Sequence, residues 1–167
     1  MIVVDFNQVA ISNMMAELGG RRDVEVNLPL IRHMIINSIR SYKRKFGSEF
    51  GEIVIACDNR HYWRRQFFPN YKANRKKSRA DSGFDWNSIF EALHQVRAEL
   101  SEHFPYPVID VDGAEADDVI GALAEYYKGW LNAGEFLRCY SWCTISMGAP
   151  TFVERRVHLV RRRIRWL

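Results

Sequence analysis

The segment E-I-V-I-A-C-D at residues 52–58 decides the fold class of this chain. It is a short, continuously apolar run that ends in an acidic residue, Asp58, and this pattern is typical of a strand buried in a sheet. Two similar runs lie on either side of it in the sequence, at Met1–Val4 and Val108–Val111, and each is also followed by an aspartate. We therefore predict three buried strands.

Amphipathic segments separate these strands. Residues 28–46, 85–103 and 115–128 place apolar side chains at helical spacing, and Asp85 is a predicted N-cap of the second helix. Strands that alternate with helices pair in parallel. The order strand, helix, strand, basic insert, helix, strand, helix thus predicts an α/β fold with a mainly parallel sheet.

Composition indicates a globular protein with an uneven charge distribution. The 167 residues are 47% hydrophobic and 26% charged, with a net charge of +4, which is ordinary for one globular domain. Residues 136–167 hold seven arginines and one acidic residue, so that residues 1–135 carry a net charge of −2. We find no run long enough to span a bilayer, no signal-peptide pattern and only three cysteines, and a cytoplasmic location is expected.

Acidic residues follow each of the three predicted strands. Asp5 follows the first, Asp58 the second, and the motif E-A-D-D at 115–118 the third. Ligands of parallel α/β sheets bind beyond the carboxyl ends of the strands, and gathered carboxylates repel one another unless a cation lies between them. Oxygen ligands without histidine favour Mg²⁺ or Mn²⁺. The alternative is that single acids such as Asp117 merely cap helix N-termini.

A basic and aromatic insert lies between the second strand and the 85–103 helix. Residues 60–79 carry eight lysines or arginines, no acidic residue and five interleaved aromatic residues. Cationic side chains neutralise phosphates, and aromatic rings offer stacking faces to unpaired bases. The insert therefore suggests a nucleic-acid contact near the acidic edge. The alternative is a solvated loop with a few aromatic residues packed beneath it.

Seven stretches, in the same order along the chain, resemble the 5′-nuclease (flap endonuclease) family, in particular its phage ribonuclease H members. They are V-V-D-F-N-Q-V-A at 3–10, R-H-M-I-I-N-S-I at 32–39, I-A-C-D-N at 55–59, Y-W-R-R at 62–65, Y-K-A-N-R-K-K at 71–77, D-W at 85–86 and E-A-D-D at 115–118. The resemblance covers residues 1 to about 128. It implies a Rossmann-like, PIN-type nuclease core with a basic arch at residues 60–83.

The resemblance also implies an activity and site residues. The activity is that of a metal-dependent 5′→3′ exonuclease and flap endonuclease, a hydrolase that removes RNA primers during lagging-strand DNA replication. Its partners would be DNA and RNA–DNA duplexes with 5′ ends or flaps, together with phage replication proteins. A monomer without membrane contact, in the host cytoplasm, is expected. Two Mg²⁺ or Mn²⁺ ions would be held by Asp5, Asp58, Glu115, Asp117 and Asp118. Lys72 and Arg75 would be catalytic, and both would also bind nucleic acid with Tyr62, Arg64, Arg65, Tyr71, Lys76 and Lys77.

The last part of the chain departs from the family pattern. The family continues after E-A-D-D with a further strand, a second acidic cluster and a helix-hairpin-helix region, whereas no aspartate follows Asp118 here. We expect residues 1–130 to be the nuclease domain and 131–167 to be a divergent, arginine-rich tail, frameshifted or non-native. The second metal ion is then in doubt. Two alternatives stay open: a nucleic-acid-binding module without activity, and a small PIN-type endoribonuclease.

Overall fold

A computed structural model describes residues 1–19 and 26–128, apart from the side chains of Lys76, Tyr127 and Lys128. The expected divergent tail at 131–167 lies outside the described residues. In chain order the elements are β1 (Ile2–Asp5), α1 (Phe6–Leu18), α2 (Leu28–Phe50), β2 (Ile53–Ala56), α3 (Arg64–Phe67), α4 (Ala73–Ser82), α5 (Trp86–His103), β3 (Val108–Ile109) and α6 (Ala116–Lys128).

The three strands form one parallel sheet in the order β1-β2-β3. Because successive strand residues point to opposite faces, Ile2 and Val4 pack into one core while Val3 packs into the other. The larger core joins the sheet to α1, α2 and α5, and the smaller one joins it to the first two turns of α6. Helices thus cover both faces, and the predicted α/β fold with a parallel sheet is confirmed.

The predicted strands and the three predicted helices are all present. Asp85 caps α5 as expected: its carboxylate accepts hydrogen bonds from the amides of Asn87 (3.1 Å) and Ser88 (3.3 Å). Between α2 and α5, Arg32 forms a two-pronged ion pair with Glu99, with Nε–Oε2 at 2.5 Å and Nη2–Oε1 at 2.7 Å. In the described part of the chain, no helix is long and apolar enough to cross a membrane.

Helix α1 was not among the predicted elements. Its buried residues Phe6, Val9, Ala10 and Met14 are joined by half-buried apolar side chains on its other faces. Polar residues (Asn7, Gln8, Ser12, Asn13 and Glu17) are spread around the helix among the apolar ones, so that the sequence shows no single apolar stripe.

The insert is folded, with α3 and α4 inside it. Two backbone hydrogen bonds connect it to the segment before α6. The amide of Trp63 donates to the carbonyl of Gly113 (2.9 Å), and the amide of Asn59 donates to the carbonyl of Ala114 (3.1 Å). Tyr62 pairs with Gly113 as an isolated parallel bridge. These bonds hold the start of the insert against the acidic end of the sheet.

Candidate functional site

The carboxyl ends of the strands bring two of the predicted metal ligands to one edge. Asp5 ends β1 and caps α1, with the Gln8 amide 2.9 Å from its Oδ1. Asp58 lies two residues beyond β2 and accepts hydrogen bonds from Asn7 Nδ2 (2.8 Å) and from the Ala116 amide (2.7 Å). The second bond links Asp58 directly to the start of α6. Both carboxylates are therefore fixed by local hydrogen bonds.

The E-A-D-D motif sits at the first turn of α6. Asp118 Oδ2 accepts a hydrogen bond from the Glu115 amide at 2.9 Å, in the manner of a capping box. Glu115 is buried, with 3% of its surface exposed, whereas the side chain of Asp117 is exposed. The helix N-terminus favours these negative charges.

Cations from the insert neutralise Glu115 and Asp118. Arg64 Nη1 lies 2.8 Å from Glu115 Oε2. The same nitrogen lies 2.7 Å from Asp118 Oδ2, and Arg64 Nη2 lies 2.6 Å from Asp118 Oδ1. Lys72 forms an ion pair with the other Glu115 oxygen, and Tyr71 Oη donates to Glu115 Oε2 at 3.0 Å. Every oxygen of the buried Glu115 carboxylate thus has a partner from the insert.

The pKa values of this cluster follow from its ion pairs. Burial raises the pKa of Asp118, but hydrogen bonds from Arg64 and from the Glu115 amide outweigh it, and the pKa lies below its ordinary value. The pKa of Arg64 is raised, mainly by its hydrogen bonds to Asp118. Burial, and then the bond to Glu115, raises the pKa of Tyr71. The ion pair between Arg64 and Asp118 thus stabilises the charged form of both side chains.

The five predicted metal ligands do not form a ready metal site. Among residues 1–19 and 26–128, no three acidic, histidine or cysteine side chains lie close enough together to hold an ion. Their oxygen chemistry suits a hard divalent cation. Two of the five, Glu115 and Asp118, are instead neutralised by Arg64 and Lys72.

A cleft of about 430 Å³ runs along this edge, between the insert and α5. Asp58 and Glu115 line it together with the predicted nucleic-acid contacts Tyr62, Arg65, Lys72 and Arg75. Tyr71 packs edge-on against Tyr62, with ring centroids 5.9 Å apart, and is turned inward. Lys77 is exposed on α4, and the side chain of Lys76 lies outside the described part.

Sequence reasoning missed several residues that line the cleft. Arg97 on α5 forms an ion pair with Asp110 (3.0 Å), which in turn accepts a hydrogen bond from Asn59 (2.9 Å). Arg97 lies on the polar side of α5, and Asn59 and Asp110 lie in the loops after β2 and β3, so that no local pattern marked them. The others that were missed are Asn7, Arg60, Arg79 and His94.

This geometry agrees with the family to which the chain belongs, described as the 5′-3′ exonuclease, N-terminal resolvase-like domain, whose model matches residues 10–134. The chain is 38% identical over 129 residues to the ribonuclease H of Enterobacteria phage T4, covering 75% of this chain and 42% of that protein. It is similar in fold to the T5 5′-exonuclease, solved with bound divalent metal ions (zinc), with a TM-score of 0.54 and 16% identity over 77% of this chain and 45% of the other. The chain spans less than half the length of these two proteins. The family resemblance drawn from the sequence is confirmed.

Proposed function

We propose that this chain is the core of a metal-dependent 5′→3′ exonuclease and flap endonuclease of the phage ribonuclease H type. The observation that carries the proposal is the shared cleft, where Asp58 and Glu115 lie beside Lys72 and Arg75. Carboxylates that can hold a metal ion, together with cations that bind the phosphate, suit the hydrolysis of a phosphodiester. The activities of the two similar proteins, a ribonuclease H and a 5′-exonuclease, support the same proposal.

The proposed cofactor is Mg²⁺ or Mn²⁺. Asp5, Asp58, Glu115, Asp117 and Asp118 would hold it, and the divalent metal ions of the T5 5′-exonuclease support a metal dependence. Such a cation supplies a more acidic bound water and stabilises negative charge on a phosphodiester oxygen. The pairs that Arg64 and Lys72 make with Glu115 and Asp118 compete with its binding.

Side chains of the insert would hold the substrate. Lys72 and Arg75 face the cleft and would stabilise charge that develops on the phosphate. Tyr62, Arg64, Arg65, Tyr71, Lys76 and Lys77 are the further proposed nucleic-acid contacts. The proposed substrates are DNA and RNA–DNA duplexes with 5′ ends or flaps, and the proposed role is the removal of RNA primers during DNA replication.

The test is cleavage of a 5′-labelled, RNA-primed DNA duplex by the full chain in Mg²⁺ and in EDTA. The proposal predicts short 5′-labelled products in Mg²⁺ and none in EDTA. Single-stranded RNA is the comparison substrate. Preferential cleavage of that RNA would instead indicate a PIN-type endoribonuclease.

A second candidate is a nucleic-acid-binding module without activity. The engagement of Glu115 and Asp118 by Arg64 favours it, because these oxygens are then not available to a metal ion. This candidate predicts that the chain binds the primed duplex equally well in Mg²⁺ and EDTA and leaves it intact in both.

A further inference from the structure

Asp58 differs from Glu115 and Asp118 in the kind of group that holds its carboxylate. Asn7 Nδ2 lies 2.8 Å from Asp58 Oδ2, and the amide nitrogen of Ala116 lies 2.7 Å from Asp58 Oδ1. Both donors are uncharged, whereas cations of the insert hold Glu115 and Asp118. Within the described residues Asp58 forms no ion pair, although arginines line the same cleft. Its carboxylate is thus fixed in place without being neutralised.

The backbone on both sides of Asp58 is fixed as well. The Cys57 amide donates to the Ile109 carbonyl at 2.9 Å, at the end of β3. The Asn59 amide donates to the Ala114 carbonyl at 3.1 Å, just before α6. With the main chain held in this way, only the side-chain torsions of Asp58 are left to decide where its oxygens point. The hydrogen bonds to the carboxylate set those torsions.

Asn7 is the side chain among the two donors to Asp58. It lies in the first turn of α1, two residues after Asp5, and reaches from the end of β1 to the segment after β2. A neutral amide suits this position, because a cation would neutralise Asp58 and a carboxylate would repel it. The two oxygens of a carboxylate offer about four acceptor positions. Asp58 can therefore accept both hydrogen bonds and still bind a cation from the cleft.

We propose that Asn7 is a positioning residue, which orients the Asp58 carboxylate for a divalent cation. The inference rests on the proposed function, because Asp58 is one of the metal ligands proposed there. Hydrogen bonds to a metal ligand from a neighbouring residue typically change metal affinity by about 10- to 100-fold. The Ala116 amide would still hold the other oxygen of Asp58 in the absence of Asn7, so the lower end of this range is expected.

The experiment measures Mn²⁺ binding to the full chain in the absence of substrate. Electron paramagnetic resonance of the free ion gives the dissociation constant at neutral pH, and Asn7→Ala should weaken binding about tenfold. Asn13→Ala is the matched control, because it makes the same substitution in the same helix. Asn13 bonds to Ser38 at 3.0 Å and does not line the cleft, so Asn13→Ala should bind Mn²⁺ like the wild type. Wild-type affinity in Asn7→Ala would overturn the inference.

Asn7→Leu separates the hydrogen bond from packing. Leucine fills the space of the amide without donating a hydrogen bond, and it should show the same loss of Mn²⁺ affinity as Asn7→Ala. Far-UV circular dichroism checks that each variant is folded, and Asn7→Leu supplies the test if Asn7→Ala does not fold. Wild-type affinity in folded Asn7→Leu would assign Asn7 a packing role and overturn the inference.

Cleavage of the RNA-primed duplex separates positioning from substrate contact. At limiting Mg²⁺, Asn7→Ala should lower kcat about tenfold and leave the KM for the duplex unchanged. A higher Mg²⁺ concentration should restore the rate, because the defect is in metal binding. A raised KM with unchanged kcat would indicate a direct contact between Asn7 and the substrate and would overturn the inference.

The remaining outcomes distinguish this inference from the proposed function. A wild-type chain that binds Mn²⁺ but leaves the duplex intact would overturn the nuclease, and the Mn²⁺ affinities of Asn7→Ala and Asn13→Ala would still decide the inference. Equal affinities of Asn7→Ala and the wild type, with cleavage by the wild type, would overturn the inference and support the nuclease. A wild-type chain that binds no Mn²⁺ would overturn both.

Discussion

Replacing Arg64 by glutamine should destabilise the folded domain by about 2–3 kcal/mol. Arg64 joins the insert to α6 through three contacts of 2.6–2.8 Å with two carboxylates. A hydrogen bond to a charged group contributes about 1.5–3 kcal/mol, and the loss is larger when a buried charge is left unpaired. Glu115 is buried, but Lys72 and Tyr71 would remain on it, and the Arg64 side chain is 21% exposed. These facts favour the lower part of the range.

Urea unfolding followed by circular dichroism measures this loss. Arg64→Lys keeps a positive charge but cannot make the two-pronged bond to Asp118, so it should recover only part of the stability. Arg40→Gln on the exposed face of α2 is the matched control and should unfold like the wild type. A loss below about 0.5 kcal/mol for Arg64→Gln, which is typical of a solvent-screened surface pair, would refute the reasoning.

Four further predictions concern acid stability, metal binding, the core and the cysteine at the end of β2. Because the folded pKa of Asp118 lies below its ordinary value of 3.8, its stabilising effect is present above that pH and is lost as the pH falls through the folded pKa. Urea unfolding between pH 7 and about pH 2.5 should therefore show a smaller acid-induced loss in Arg64→Gln than in the wild type. The same variant frees Asp118 from its ion pair and removes one of the three partners of Glu115. Its Mn²⁺ affinity, measured by electron paramagnetic resonance, should rise about tenfold, or about 1.4 kcal/mol; an unchanged affinity would show that Arg64 does not compete with the metal. Ile55 is fully buried in the central strand, so urea unfolding of Ile55→Ala should show a loss of about 3–5 kcal/mol, against about 1 kcal/mol for Ile55→Val. Burial raises the pKa of Cys57 to about 12, and mass spectrometry of the native protein after iodoacetamide treatment should find this thiol unmodified; rapid labelling would contradict its burial.

The strands, and the acids that follow them, could be predicted from the sequence because their signals are local. A run such as Ile53–Ala56 is apolar at every position only where both faces of the sheet are covered. The cap at Asp85 was predictable for the same reason, since a helix start depends on a few neighbouring residues.

The ion-pair partners of Arg64 could not be predicted from local sequence. Its partners Glu115 and Asp118 lie 51 and 54 residues further along the chain. Among the eight lysines and arginines of residues 60–79, no local feature indicates which of them forms an ion pair within the protein. The same holds for Arg79, whose position depends on the packing of α4 against the aromatic residues of α5. Long-range ion pairing divides the insert into internal and outward-facing cations.

Cleavage by the Asp117→Asn variant tests the central claim most directly. Asp117 is exposed on the first turn of α6 and makes no ion pair in the described part of the chain, so its replacement should leave folding and oligonucleotide binding unchanged. The assay follows a 5′-labelled flap or RNA-primed duplex in Mg²⁺, with Glu49→Gln on the exposed face of α2 as the control. The account predicts cleavage by the wild type and the control, and none by Asp117→Asn. Undiminished cleavage by Asp117→Asn would contradict the assignment of this acidic edge as the catalytic centre.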